Sequence, residues 1–296
     1  MARTVRFVFS GGLGNQLFQY SAYLYVKLRH KEIKVIPDID AYRYDAYHNG
    51  FEVQKILDVD FKELIEATEK YRLEHNSSQS ELRRIARLCW YKLQGYKTIY
   101  GQQISSIDSL DRILFGHRNN ILAGYWGKPF IVQNISAELF KLFDSKIELG
   151  DECNGILDRI KDCISVSLHV RRGDYLNIPN YDVFNGLEYY KRSIKYFRDR
   201  FRSPIFLIFS NDPEWVKENL NLTDSLAVTC NCGESSYKDL LMMARCNHNI
   251  IVNSTFSWWG AWLNTNPDKI VICPKQWFKD RPSSIMVPET WVQLDN

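Results

Sequence analysis

Four short segments put chemistry-bearing side chains directly after runs that read as β-strands. The first is Ser10-Gly11-Gly12-Leu13-Gly14-Asn15-Gln16. Gly12 and Gly14 would let the backbone approach a ligand closely, and a helix starting there would offer N–H groups. The turn lacks the third glycine of a dinucleotide fingerprint, because position 17 is Leu, and no Lys-Ser/Thr follows as in a phosphate loop. A purely structural tight turn explains it equally well.

The second segment is His169-Val170-Arg171-Arg172-Gly173-Asp174. Alternation puts His169 and Arg171 on one face of the strand end. Two adjacent guanidiniums at a strand terminus call for a carboxylate or a phosphate. A pair with Asp174 would satisfy one of them. A diphosphate leaving group would suit the other, because its charge grows as its bond to a sugar breaks.

The third segment, Ser210-Asn211-Asp212-Pro213, suits either a helix cap or a polar reader of a purine edge. The fourth is Asn253-Ser254-Thr255-Phe256-Ser257-Trp258-Trp259. Ser254, Thr255 and Ser257 open a helix, and such a terminus favours anions by geometry and dipole. Ser254 alone would be enough for a cap.

These segments need a scaffold that brings strand ends together. The second half reads as strands at 164–170, 205–210, 226–230, 250–253 and 269–274. Helices at 186–201, 212–220, 237–245 and 256–264 alternate with them. Such alternation builds a parallel, doubly wound sheet, which binds ligands beyond the carboxyl ends of its strands. The first half opens with a strand at 5–9, a helix at 15–30 and a strand at 33–37. Helices follow between 61 and 93 and at 130–143. A boundary near 145–155 gives two domains, 1–150 and 151–296.

Composition narrows the function. The chain has 296 residues, 45% of them hydrophobic and 25% charged, the balance of a globular protein. Its 38 basic and 35 acidic residues give a net charge of +3, too balanced for a nucleic-acid partner. The basic stretch from Arg83 to Lys97 fits a solvated helix face or an anionic membrane surface. Seven cysteines without regular spacing argue against a disulfide framework and for a reducing compartment. No signal-peptide core and no apolar run of transmembrane length is present. The expectation is a bacterial, cytoplasmic protein, free or peripheral at the inner membrane face.

Taken in order, the turn at Gly11–Gln16, the His169–Asp174 segment, Ser210–Asp212 and Asn253–Trp262 resemble the α-1,2-fucosyltransferase family of bacteria and animals. The resemblance covers nearly the whole chain and is weakest between about 60 and 120. It implies a GT-B-like α/β fold, with two Rossmann-like doubly wound domains facing a cleft. It also implies an inverting transfer of L-fucose from GDP-fucose to O2 of a galactose-terminated glycan. By that likeness Arg171 holds the β-phosphate, His169 contacts the nucleotide, and Asn211 or Asp212 holds guanine or ribose. Ser254, Thr255 and Ser257 hold the diphosphate, and Asn15 reaches the reaction centre. Arg172 and Asp174 bind donor or brace the site.

The general base stays open among Asp174, Asp38, Asp40 and a late proton transfer without a dedicated base. Two D-x-D patterns, Asp38-Ile39-Asp40 and Asp58-Val59-Asp60, are the form metal-dependent transferases use. With the arginine pair already at the leaving group, no metal and no cofactor are expected. Two alternatives remain: another GDP-sugar or hydroxyl, and a non-catalytic sugar-binding protein. Tyr44, Tyr47, Tyr125 and Trp126 are candidates for the acceptor side.

Overall fold

The computed structural model describes residues 3–43, 48–60, 62, 64–66, 93, 95–116, 119–143, 147–172, 186–278 and 286–296. The chain divides into two compact units, Met1–Ser145 and Lys146–Asn296.

The first unit is built on four parallel strands: β1 (Arg3–Val8), β2 (Ile33–Asp38), β3 (Tyr96–Tyr100) and β4 (Asn119–Ala123). Their order in space is β2-β1-β4-β3. The chain thus steps from β1 outward to β2 and later returns to the other flank of β1, which makes β1/β4 the switch point of this sheet. Pro37 lies in β2, an edge strand, where its missing N–H costs no ladder bond. Helix α1 (Leu13–Arg29) is buried along most of its length, with Phe18, Ala22 and Val26 all inside. Its partners include Phe7 and Phe9 of the β1 segment, whose rings meet Tyr23. Further along the chain are α2 (Ile107–Gly116), α3 (Pro129–Asn134) and α4 (Ser136–Leu142). The single helix expected over 130–143 is therefore two, broken at Ile135, whose backbone leaves the helical region.

The second unit carries six parallel strands in the order β10-β9-β8-β5-β6-β7. They are β5 (Ser165–Val170), β6 (Ile205–Ser210), β7 (Ser225–Val228), β8 (His248–Ile250), β9 (Val271–Pro274) and β10 (Val292–Leu294). The helices are α5 (Asp151–Ile160), α6 (Leu187–Arg200), α7 (Pro213–Leu220), α8 (Tyr237–Ala244) and α9 (Thr255–Leu263). Every residue of β5 is buried, as expected of a central strand covered on both faces. Val166, Leu168 and Val170 of β5, Phe206 and Ile208 of β6, and Tyr189, Ile194 and Phe197 of α6 form one core. The chain runs outward through β5, β6 and β7, then returns beside β5 with β8. The switch point of this sheet is therefore β5/β8.

Both sheets are parallel and doubly wound, so each unit is Rossmann-like and the fold is GT-B-like. Among the described residues, no helix is long and apolar enough to cross a membrane.

Candidate active site

In the second unit the switch point gathers the arginine segment and the hydroxyl run. His169 and Val170 end β5, and Arg171 and Arg172 follow at once. The neighbouring strand β8 pairs with β5 through Leu168 and Ile250. Five residues beyond the end of β8, α9 begins at Thr255, with Ser254 as its N-cap. The His169 ring is buried and lies 6.1 Å from the Phe256 ring in the first turn of α9. That contact ties the strand end bearing Arg171 to the helix start.

The α9 terminus has no side-chain cap from Ser254. Its first intrahelical bond runs from the Trp258 N–H to the Ser254 carbonyl (3.0 Å). The N–H groups of residues 255–257 therefore point out of the helix end, where the dipole favours an anion. The three hydroxyls are not equivalent. Ser254 and Ser257 are buried, and Ser257 donates back to the Ser254 carbonyl (3.4 Å), whereas Thr255 is partly exposed. Asn253 is buried and donates to the Trp277 carbonyl (3.3 Å), fixing the turn before the helix. Trp258 is buried and donates from its indole to the Met286 carbonyl (2.8 Å).

Helix α6 props the same region from beneath. Tyr189 donates to the carbonyls of Ile251 and Ile272, bracing the strands beside the hydroxyl run. The hydroxyl of its neighbour Tyr190 lies against the Arg171 backbone. Both rings are fully buried, and burial pushes both phenols up.

The arginines differ sharply. Arg172 is held in place three ways. Its backbone N–H donates to the Asn211 amide oxygen (3.0 Å), its Nε reaches Asp212 Oδ2 (3.4 Å), and its guanidinium lies 4.1 Å from the centre of the Trp215 ring. Asp212 is the N-cap of α7, accepting from the Trp215 N–H (3.2 Å). Asn211, Asp212 and Arg172 thus form a brace between the ends of β5 and β6. Arg171 is half-buried and follows directly on the end of β5.

In the first unit the Gly-rich turn closes β1 at its own switch point. Gly11 has φ +80°, a left-handed conformation that favours glycine. The Asn15 side chain folds back over it, 3.1 Å from where a Cβ would stand. Gly12 is the N-cap of α1, and Gly14 is buried in the first turn. Two glutamines one turn apart on α1 hold the loops. Gln16 donates to the carbonyls of Gly11 (2.9 Å) and Gly50 (2.8 Å) and accepts from the Glu52 N–H (2.7 Å). Gln19 pairs with Ser10 and donates to the Gly124 carbonyl (3.0 Å), joining the ends of β1 and β4.

This set of strand ends, with its order along the chain, matches one known family. The profile described as Glycosyl transferase family 11 matches residues 4–294. The chain belongs to that family.

The O-antigen biosynthesis glycosyltransferase WbnK of Escherichia coli is 30% identical over 96% of this chain and 98% of its own length. An α-1,2-colitosyltransferase of the same organism is 29% identical, with 97% of each chain covered. Galactoside α-(1,2)-fucosyltransferase 2 of Bos taurus is 30% identical over 48% of this chain and 44% of its own. The family 11 chain is thus a glycosyltransferase. In fold it is similar to the fucosyltransferase NodZ from Bradyrhizobium, with a TM-score of 0.50 at 12% identity over 89% of this chain and 94% of that one.

Within the family 11 enzyme, the second unit brings His169, Arg171, Ser254, Thr255 and Ser257 to one switch point. Arg172, Asn211 and Asp212 form the adjoining brace. Asn15, Gly12 and Gly14 are gathered at the switch point of the first unit. Asp174, Tyr44 and Tyr47 lie outside the described residues. Asp38, a candidate base, is buried in an ion pair with Arg6, and its other oxygen accepts the Asp40 N–H (3.0 Å). Of the acceptor-side aromatics, Trp126 is in the core and Tyr125 is exposed. Sequence reasoning missed Gln19, Tyr189 and Tyr190. A pair of glutamines three apart in an otherwise apolar helix is a usable signal for the first. Two tyrosines on a helix had no such signal.

Proposed function

We propose that this glycosyltransferase transfers L-fucose from GDP-fucose to O2 of a terminal β-galactoside, with inversion and without a metal. One arrangement supports the reading: Arg171 follows the end of β5, and the His169 ring of that strand end meets Phe256 in the first turn of α9. A nucleotide diphosphate seated there meets a guanidinium and a fan of backbone N–H groups. As the bond from the anomeric carbon to the β-phosphate oxygen breaks, negative charge grows on the diphosphate. Fixed positive groups stabilise that charge more in the transition state than in the ground state, which is what accelerates the step. The acceptor oxygen attacks the opposite face of the anomeric carbon, so a β-linked donor gives an α-linked product. The α-1,2 linkage made by the bacterial colitosyltransferase and the mammalian fucosyltransferase supports the choice of hydroxyl. The enzyme would meet its donor in the cytoplasm.

The test is turnover of GDP-fucose in the presence of β-galactosides, in buffer containing EDTA. The expected result is a fucosylated product at an undiminished rate. Absence of product over a panel of galactosides overturns the donor–acceptor pair, and loss of rate in EDTA overturns metal independence.

A second reading changes only the sugar. The α-1,2-colitosyltransferase covers 97% of this chain, so a deoxy sugar other than fucose is a specific alternative. Competition between GDP-fucose and GDP-colitose for the same protein, read as product ratio, separates the two.

A further inference from the structure

Two turns without charge meet at the carboxyl edge of the first sheet. Neither 99–107, which ends β3, nor 119–127, which carries β4 into its loop, holds a charged residue, in a chain that is 25% charged. Tyr100 is the last residue of β3 and pairs with Ala123, the last of β4. Tyr125 follows two residues on. Both rings stand in water, 51% exposed for Tyr100 and 55% for Tyr125, while Trp126 between the turns is buried. The carboxyl edge is the side on which doubly wound sheets take ligands.

Two glycines lock these turns face to face. Gly124 has φ +78°, a left-handed conformation. A Cβ on it would stand 2.8 Å from Gln102 Oε1 and 3.2 Å from Tyr100 Cδ1. A Cβ on Gly101 would stand 2.8 Å from the Trp126 ring and closer still to the Tyr125 carbonyl oxygen. Each turn therefore packs on the glycine of the other. Hydrogen bonds fix both. The Tyr100 N–H donates to Gln103 Oε1 (3.1 Å), and the Trp126 indole donates to the Ala123 carbonyl (3.1 Å). The buried Lys128 ammonium reaches the Gln102 carbonyl (3.5 Å), and Gln19 holds the Gly124 carbonyl. The exposed rings thus stand on a rigid base, with the exposed Gln102 side chain over Gly124 beside Tyr100.

We propose that Tyr100, Tyr125 and Gln102 form a platform on which the acceptor glycan stacks. A surface of aromatic rings and an amide, without charge, suits a neutral saccharide: a ring covers an apolar C–H face, and the amide meets a hydroxyl. A nucleotide diphosphate would call for cations instead. A β-galactoside offers such a face, because its axial O4 leaves the C–H bonds of C3, C4 and C5 together on the opposite side. O2 is equatorial, at the rim of the ring, and stays free when that face is covered. The proposal rests on the reading of the chain as a galactoside transferase and adds to it the residues that hold the acceptor.

The full chain is assayed with GDP-fucose and lactose. Tyr100→Ala and Tyr125→Ala should each raise the KM for lactose about tenfold, the size of an aromatic anchor lost from a binding surface. The kcat at saturating lactose should change far less, the mark of binding lost equally in ground and transition states. Tyr100→Phe and Tyr125→Phe keep the ring and should keep the lactose KM. A lactose KM unchanged in both alanine variants overturns the platform, and so does a phenylalanine variant as impaired as its alanine counterpart. GDP affinity lost in the alanine variants, read by calorimetry, also overturns it, since the surface then serves the nucleotide. A wild type that makes no product from lactose is a failure of the donor–acceptor reading instead. Saturation-transfer NMR of the nucleotide-free chain with lactose and cellobiose then decides the platform. Signals seen with wild type and lost in the double alanine variant uphold it; signals absent from wild type, or kept by the variant, overturn it.

Discussion

Gln19 and Ser10 are joined by two hydrogen bonds of 3.0 Å, one in each direction: the Ser10 N–H donates to Oε1, and Nε2 donates to the Ser10 carbonyl. A side-chain amide here replaces the strand partner that the chain loses as it leaves β1. The same Nε2 reaches the Gly124 carbonyl just past β4. One side chain therefore holds both lips of the switch point. Gln19→Leu leaves three half-buried backbone groups without these bonds. Each unmade bond costs about 1–3 kcal/mol, so a loss of about 3 kcal/mol or more is expected in urea unfolding. A loss under about 1 kcal/mol would mean that the loops are held by something else.

The two adjacent arginines should separate in kinetics. Arg171→Ala is expected to lower kcat by 10²–10³-fold, the size seen when a donor to a developing oxyanion is removed. Arg172→Ala removes the brace to Asp212 and Trp215. It should cost about 1 kcal/mol of stability in a partly exposed setting and change kcat much less. Steady-state rates beside thermal melts decide it. Equal kcat losses in both variants would contradict the division of labour.

Gly260 permits the close approach of α8 and α9. A Cβ there would stand 2.9 Å from the Met243 Cβ and 3.4 Å from the Leu240 carbonyl oxygen. Gly260→Ala would gain helix propensity but must push α9 off α8, at about 1–3 kcal/mol for overpacking. The same shift moves the α9 terminus relative to Arg171, so GDP should also bind more weakly. Calorimetry on the variant checks the second effect. A variant of wild-type stability and affinity would show that the helices can yield without cost.

Much of this was legible from residue types. The second unit is nearly a direct reading, because parallel buried strands such as Ile205–Ser210 are continuous apolar runs between capped helices. The first unit was harder. β4 begins Asn119-Asn120, residues depleted in strands, and is a strand because β1 and β3 flank it. β3 and α2 were passed over for the same reason: their local patterns are short and amphipathic, and only pairing fixes them. The motifs point to the strand ends at the two switch points but not to the roles within them. Asp212 could be read as a cap or a base reader, and the Arg172 pair is a tertiary fact. Gln19 and Gly124 are 105 residues apart, a separation no local pattern spans.

Asp239 gives a pH dependence with a definite sign. Its carboxylate accepts from Asn231 Nδ2 (2.7 Å), and burial pushes it up from 3.8 to about 6, with the Asn231 bond opposing. Between those values the native state holds more protons than the unfolded chain. The contribution of this group to stability is therefore present in full below about pH 4 and is lost as pH rises through about 6. Two pH units correspond to about 3 kcal/mol. The position in the first turn of α8 favours the anion and offsets up to about 1 kcal/mol of that. Asp239→Asn keeps an acceptor oxygen for Asn231 and removes the buried charge. The variant should be about 2 kcal/mol more stable than wild type at pH 7 and no more stable at pH 3.5, read by urea unfolding at both. A variant that is less stable at pH 7, by an amount that pH does not change, would mean that the carboxylate is stabilising and that burial is not what governs it.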